Sequence, residues 1–240
     1  GPAGSDKVIT VAATGTDDKH TVFSNWGTPV DIAAPGEDML SLRARRTDTI
    51  SGVPGLEYES ESAFVGSDRR YYRASGTSFS APLITGIASL LLSNNPSLTA
   101  AQVRRMLLQS ARDIDAPGRD QFSGYGLVDA RAALKADPEF YLATEILGVE
   151  IGSVDGKPAL KVFGTVQSNG LYGRWLEIGV GDEPAAWKKV TPASKDTIDR
   201  DLLGTIPASE FAGEAVWMIK VRTRHQNGTE RENRYRLKLG

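Results

Sequence analysis

The sequence predicts an α/β region followed by an all-β region, and three observations carry that division. Short β-branched runs alternate with apolar helical patterns as far as Asp137-Pro138. Beyond it the period becomes two, clearest in "VWMIKVRTR", where Trp217, Ile219, Val221 and Thr223 interleave with Lys220, Arg222 and Arg224, the pattern of a sheet with one wet face. Asn227-Gly228 then marks a hairpin turn before "ENRYRLKL". The expected division is a cleavage-and-linker scar, Gly-Pro-Ala-Gly-Ser, at residues 1–5, an α/β unit over 6–138 and a sandwich-like β unit over 139–240.

Taken in order, "KVITVAA" at residues 7–13 is a β-branched run closed by Gly15 and a polar stretch, the mark of a buried strand. "TPVDIAAPG" at 28–36 is a second, ended by Pro-Gly, and the Gly-, Arg- and Glu-rich chain from 42 to 75 reads as a surface excursion. A helix follows, with Leu83, Ile87, Leu90 and Leu91 on one stripe and Ile84 and Ala88 beside it, so it is expected to be covered on most sides. Gly86 costs that helix about 1 kcal/mol against alanine, which a close-packed neighbour would explain. Thr99 and Gln102 have capping-box spacing, and Val103, Met106, Leu107 and Ser110 form the inward stripe of a second helix. "LVDARAALKA" at 127–136 predicts a third, and "ALKVFGTV" and "YGRWLEIGV" predict strands of the β unit.

Composition bounds function. Lys and Arg number 28 against 30 Asp and Glu, a balance that favours no polyanionic partner. The absence of cysteine removes disulfide and thiolate chemistry. No apolar run approaches the ~20 residues of a membrane span.

Ser78 is the candidate for chemistry. A serine or threonine before a helix is ordinarily a cap. Here Gly76 permits close backbone approach, Thr77 and Ser78 stand at the positive end of a helix, and Ala81-Pro82 open an apolar run. In such a place the Ser78 amide can face a developing oxyanion while its hydroxyl attacks a carbonyl. A serine hydroxyl still needs a general base.

The stretch "GTSFSAP" at 76–82 resembles the nucleophile motif of the subtilisin-like serine peptidases, and four further stretches fall in that family's order: "VITVAAT", "FSNWG", "VDIAAPG" and "GYGLVDARAAL". The resemblance covers residues 7–136. It implies part of a three-layer α/β domain around a mostly parallel sheet, serine endopeptidase activity in the intact parent protein, Ser78 as nucleophile with its amide as oxyanion donor, and Gly76, Thr77, Ala81 and Pro82 as framework. The family's Asp, His and side-chain oxyanion donor precede the matched segments, so the resemblance also implies that this chain alone is inactive. A second polypeptide, the N-terminal half of the same domain, is the expected partner, and a peptide or protein the substrate. Leu83 stands where many members carry a non-catalytic histidine. By the same resemblance the parent is expected to be secreted or to belong to the cell envelope. Cofactors are expected to be none, and structural calcium in the complete protein has no assignable ligands here. The alternative function is a non-catalytic structural or interaction fragment.

Other candidates carry less. Asp17, Asp18 and His20 are too close in sequence to converge on Ser78 as a triad, and His225 beside the Asn-Gly turn is expected to be exposed. Lys7 and Lys19 have no spacing that selects either as a base. Asp31 is expected to be a structural hydrogen-bonding group rather than a metal ligand. The Arg- and Tyr-rich "DRRYYRAS" lies beside Glu57, Glu59, Glu61 and Asp68, which oppose nucleic-acid binding. Asn227-Gly228-Thr229 fits a glycosylation pattern, with a hairpin turn as the default.

Overall fold

The structure is a computed structural model describing residues 3–5, 7–43, 64–67 and 70–239. Two short strands, β1 (Val11–Thr14) and β2 (Ile32–Pro35), pair in parallel from Val11 opposite Ile32 to Thr14 opposite Pro35. Three more, β3 (Met39–Leu42), β4 (Phe64–Val65) and β5 (Tyr71–Ala74), form an antiparallel sheet with β5 in the centre. The acidic run at Glu57, Glu59, Glu61 and Asp68 lies outside the described residues.

Helix α1 (Thr77–Asn94) packs on the β1–β2 pair through Ser80, Ile84 and Leu91, and its core includes Ile32, Ala34 and Leu107. Burying each of the large apolar side chains, Ile32, Ile84, Leu91 and Leu107, is worth roughly 1.5–3 kcal/mol. Helix α2 (Ala100–Gln109) starts with the expected capping box, the Gln102 amide donating to Thr99 Oγ1 at 3.3 Å and the Thr99 amide donating to Gln102 Oε1 at 2.8 Å. Val103, Met106 and Leu107 face the core as the spacing requires. Helix α3 (Ala130–Ala133) is shorter than the pattern suggested, capped by Asp129, whose carboxylate accepts from Ala132 N at 2.8 Å.

The expectation of a mostly parallel, three-layer sheet does not hold. Among the described residues parallel pairing is confined to β1–β2 and a single bridge from Ala33 to Leu127; every other pairing is antiparallel. The region is mixed α/β. One reason lies at the far edge of β1, where a loop replaces a strand: Ala13 N donates to Ser24 Oγ at 3.0 Å, and Ala13 O accepts from Thr21 N at 3.1 Å. A second is that the chain after Pro35 turns back as hairpin strands rather than crossing over.

Coverage of α1 also differs from expectation. The buried face is Ser80–Ile84–Leu91, whereas Leu83 and Leu90 of the predicted stripe are 37% and 54% exposed. Among the described residues, and apart from the adjoining backbone of the helix itself, no atom lies within 4 Å of where a Cβ would stand on Gly86. The helix therefore meets one layer and leaves its other side open among the described residues.

The second region is a largely antiparallel sandwich. Strands β6 (Leu142–Val154), β7 (Lys157–Ser168) and β10 (Ile198–Pro207) form one sheet in the order β10-β7-β6. Strands β8 (Leu171–Val180), β9 (Lys188–Lys189), β11 (Val216–His225) and β12 (Glu230–Lys238) form the other, in the order β12-β11-β8-β9. Trp217, Ile219, Val221 and Thr223 are buried between the sheets, as alternation predicts. The opposite face is not uniformly wet: Lys220 is 3% exposed, with its Nζ 2.7 Å from Glu177 Oε2 and 3.8 Å from the centre of the Trp187 ring. Trp187, in the chain between β8 and β9, is what covers it.

Polar contacts join the two regions. Arg231 donates to Gln109 O at 2.6 Å, the Leu142 amide donates to Gln109 Oε1 at 3.3 Å, and Asn233 links Ile146 N to Arg119 O. Beside them lies a cavity of about 320 Å³ lined by Arg119, Tyr125, Thr144 and Arg231 among others. Burial lifts the Tyr125 phenol above its ordinary range and lowers the Arg231 guanidinium below its own.

Candidate active site

The candidate site is assembled where three chain segments end together. Gly36 N donates to Thr14 O at 3.0 Å, and Gly36 O accepts from Gly76 N at 2.8 Å, so the ends of β1 and β2 fix the start of α1. Only glycine fits position 36: an added Cβ would stand 2.8 Å from Ala13 Cβ and 3.0 Å from Gly76 O, and would strike Ser80 Oγ. The entry into the helix is held from the other side by Asp38, whose amide donates to Ser75 Oγ at 3.0 Å and whose carboxylate pairs with Arg73.

Gly76 is the N-cap, with φ 157° and ψ 152°, a region open essentially to glycine alone. No side chain caps the helix, which excludes the ordinary reading of Thr77 or Ser78 as a cap. Phe79 N donates back to Gly76 O at 2.9 Å. The Ser78 amide lies in the first turn, where no intrahelical acceptor exists, and points with the positive end of an 18-residue helix that has no acidic residue in its first turn. Ser78 is exposed, and its hydroxyl makes no hydrogen bond among the described residues.

Pro82 lies inside α1, not at its start as the sequence suggested. Lacking an N–H, it leaves Ser78 O without its helical donor. Ala81 and Pro82 are exposed beside it, and Thr77 is half-buried.

The remaining candidates are not brought to Ser78. Asp18 pairs with Arg112 at 2.6 Å, Asp17 accepts from the Lys19 amide, and His20 sits edge-on to Phe122 with centroids 5.5 Å apart, so neither carboxylate orients the imidazole. Lys7 and Lys19 are exposed. His225, expected at the surface, is 9% exposed: its Nδ1 accepts from Asn227 N and its Nε2 meets Asn169 Oδ1, each at 3.1 Å, while Phe140 packs edge-on. The Asn227-Gly228 turn forms as a hairpin, with Thr229 N donating to Asn227 Oδ1. Asp31 is buried and accepts from Thr10 N at 2.9 Å and Arg104 Nη2 at 2.6 Å. Among the described residues no three His, Cys, Asp or Glu side chains form a metal-sized group.

Two participants escaped the sequence reading. Gly36 was visible only as the end of a strand, and Ser80 only as part of a motif, yet Ser80 is fully buried against the Gly36 turn with its hydroxyl unpartnered. Only the approach of segments forty residues apart gives them meaning.

Residues 1–126 match the subtilase, or peptidase S8, family, and the chain belongs to it. It is 36% identical over 141 residues to Fervidolysin of Fervidobacterium pennivorans, covering 56% of this chain and 19% of that protein. It is 33% identical over 138 residues to the Halolysin-like extracellular serine protease Nep of Natrialba magadii, covering 58% and 21%. A solved structure of MycP1 from Mycobacterium smegmatis is 31% identical with a TM-score of 0.40, covering 54% of this chain and 30% of that one. The chain thus spans about a fifth of the length of these two curated relatives. No helix among the described residues is long and apolar enough to cross a membrane.

Proposed function

We propose that Ser78 is the nucleophile of a serine endopeptidase whose remaining catalytic groups are carried by an N-terminal half of the same domain, as a separate, cleaved or contiguous polypeptide. The observation that carries this reading is the exposed, unbonded Ser78 hydroxyl at an uncapped helix start in a subtilase-family chain. Its hydroxyl would attack a peptide carbonyl, and its own amide, aided by the helix dipole, would receive the oxyanion. The base, the carboxylate orienting it and the side-chain oxyanion donor would come from the partner, so this chain alone would be nearly inert.

Two features support such a partner. Among the described residues the outer side of α1 is open at Leu83, Gly86 and Leu90. In addition, Thr10 O and Thr14 O accept from the β2 side, which turns the backbone groups of Val11 and Ala13 to the opposite edge; the Thr21–Ser24 loop satisfies Ala13 and leaves Val11 for a neighbour. We place the unit boundary at residue 138, with residues 139–240 as an accessory domain. Relatives such as the extracellular Nep support a secreted or envelope parent.

The test is labelling by a serine-directed phosphonate and cleavage of an unstructured protein, for this chain alone and for the completed protein. Labelling and turnover are expected only in the completed protein and are lost in Ser78→Ala. Cleavage by the completed protein that survives Ser78→Ala overturns the nucleophile; rapid labelling of the isolated chain overturns the shared site.

A further inference from the structure

The cavity between the two regions carries two charges of opposite sign that no side chain neutralises, and it lies apart from the Ser78 chemistry. Its volume of about 320 Å³ is at the small end of ligand pockets, which run ~300–1,000 Å³. Most of the ions lining it are already matched. Glu145 pairs with Arg119 at 3.2 Å, Glu230 with Arg222 at 2.8 Å, and Glu232 with Arg234 at 2.5 Å. What remains is Asp113, on the chain after α2, and Arg231, on β12, neither of which has an ion-pair partner among the described residues.

Both groups are held in place. The Asp113 carboxylate accepts from Gly118 N at 2.8 Å, and the turn at Gly118 lies so close to β12 that a Cβ there would stand 2.1 Å from Glu232 O. Arg231 Nη2 donates to Gln109 O at 2.6 Å, while its Nε is buried without a partner. Burial lifts the Asp113 carboxyl and lowers the Arg231 guanidinium, so each charge stands to gain from a counter-charge. Asp120 and Glu232 deepen the negative potential at the Asp113 end. A lone anion would suit Arg231 but set like charge against that end, and a lone cation would do the reverse to Arg231. A small molecule carrying both charges satisfies both poles. Leu142 and Ala143 supply an apolar part of the wall, and the Tyr125 phenol lines the same space.

We propose that this cavity binds a zwitterion of amino-acid type, a free amino acid or a short peptide, with its carboxylate on Arg231, its ammonium on Asp113 and an aliphatic side chain against Leu142 and Ala143. The test is calorimetric titration of the whole chain with leucine and with leucyl-leucine; binding of either is the expected result, and the tighter of the two names the source. Isocaproate, which lacks the ammonium, isoamylamine, which lacks the carboxylate, and inorganic phosphate are titrated in parallel and are expected to bind about tenfold or more weaker. Asp113→Asn keeps an acceptor for the Gly118 amide and is expected to erase the preference for leucine over isocaproate. Arg231→Gln is expected to erase the preference over isoamylamine, with circular dichroism as the check on folding; should it fail to fold, Asp113→Asn decides alone. Absence of binding by both zwitterions, equal or tighter binding of isocaproate, isoamylamine or phosphate, or an Asp113→Asn variant that discriminates like the parent overturns the proposal.

Discussion

The Gly76 amide donates to the Gly36 carbonyl at 2.8 Å, and through that one bond the turn closing β2 sets the position at which α1 begins. Ser80, two residues past Ser78, is buried against the same turn with its hydroxyl unpartnered. The start of the helix is therefore fixed by backbone contact, with no side-chain cap.

Gly36→Ala is expected to destabilise the chain by about 1–3 kcal/mol, the usual range for overpacking. Ser80→Ala, which removes an orphaned hydroxyl, is expected to be neutral or stabilising. Because the new Cβ at 36 meets Ser80 Oγ, the double variant should cost less than the sum of the singles, with the contacts to Ala13 and Gly76 keeping some of the penalty. Urea unfolding of the four proteins measures the coupling; strict additivity would count against the close approach.

Asp31 joins β2 to α2 through Arg104 and to the segment before β1 through Thr10 N. Asp31→Ala strands a partly buried guanidinium and is expected to lower stability by roughly 3 kcal/mol, the low end for a broken buried pair. Asp31→Asn, which keeps an acceptor, should cost less. Thermal unfolding distinguishes them.

On the sandwich, burial works to raise the Glu177 carboxyl, but hydrogen bonds from Lys220 and Trp175 outweigh it and hold the group below its ordinary 4.5. A depressed folded pKa contributes stability that is present above 4.5 and lost as pH falls through the folded value. Lys220→Met is therefore expected to cost about 3 kcal/mol or more at neutral pH, by stranding Glu177, with the gap to the parent closing in acid. The double variant Lys220→Met with Glu177→Leu should recover most of the loss. Equilibrium unfolding from neutral pH into acid reads both effects, and a gap that does not change with pH would exclude the linkage.

Residues 139–240 expressed alone are expected to fold as a β domain, since the Leu142–Val221 core draws on both sheets of that region. The isolated domain should be less stable than in the whole chain, because Arg231 and the Leu142 amide lose their partners on Gln109. Circular dichroism and dispersed amide resonances check this; a disordered product would place the boundary elsewhere.

Local patterns sufficed for much of the molecule. The Thr99–Gln102 capping box, the inward stripe of α2, the Asn227-Gly228 hairpin and the alternation of β11 each depend on residues within a few positions of one another, and each is formed. The ordered motifs around Ser78 likewise pointed to the family that residues 1–126 match.

Tertiary structure decided what depends on which segments meet. Alternation put Lys220 on a wet face, but only the return of Trp187 across that face shows why its amine is buried. His225 beside a turn read as exposed until Phe140 and Asn169 closed over it. The apolar stripe of α1 promised cover on most sides, and the sequence pattern could not tell which face would find a layer: Ile84 and Leu91 did, Leu83 and Leu90 did not. Of the parallel neighbours inferred for β1, β2 is present on one edge, whereas on the other the Thr21–Ser24 loop supplies hydrogen bonds to Ala13. By itself the sequence determined the periods, caps and turns, because these are short-range consequences of side-chain shape and backbone freedom; the burial of each face and the setting of Ser78 were decided only by packing between distant segments, which no local pattern encodes.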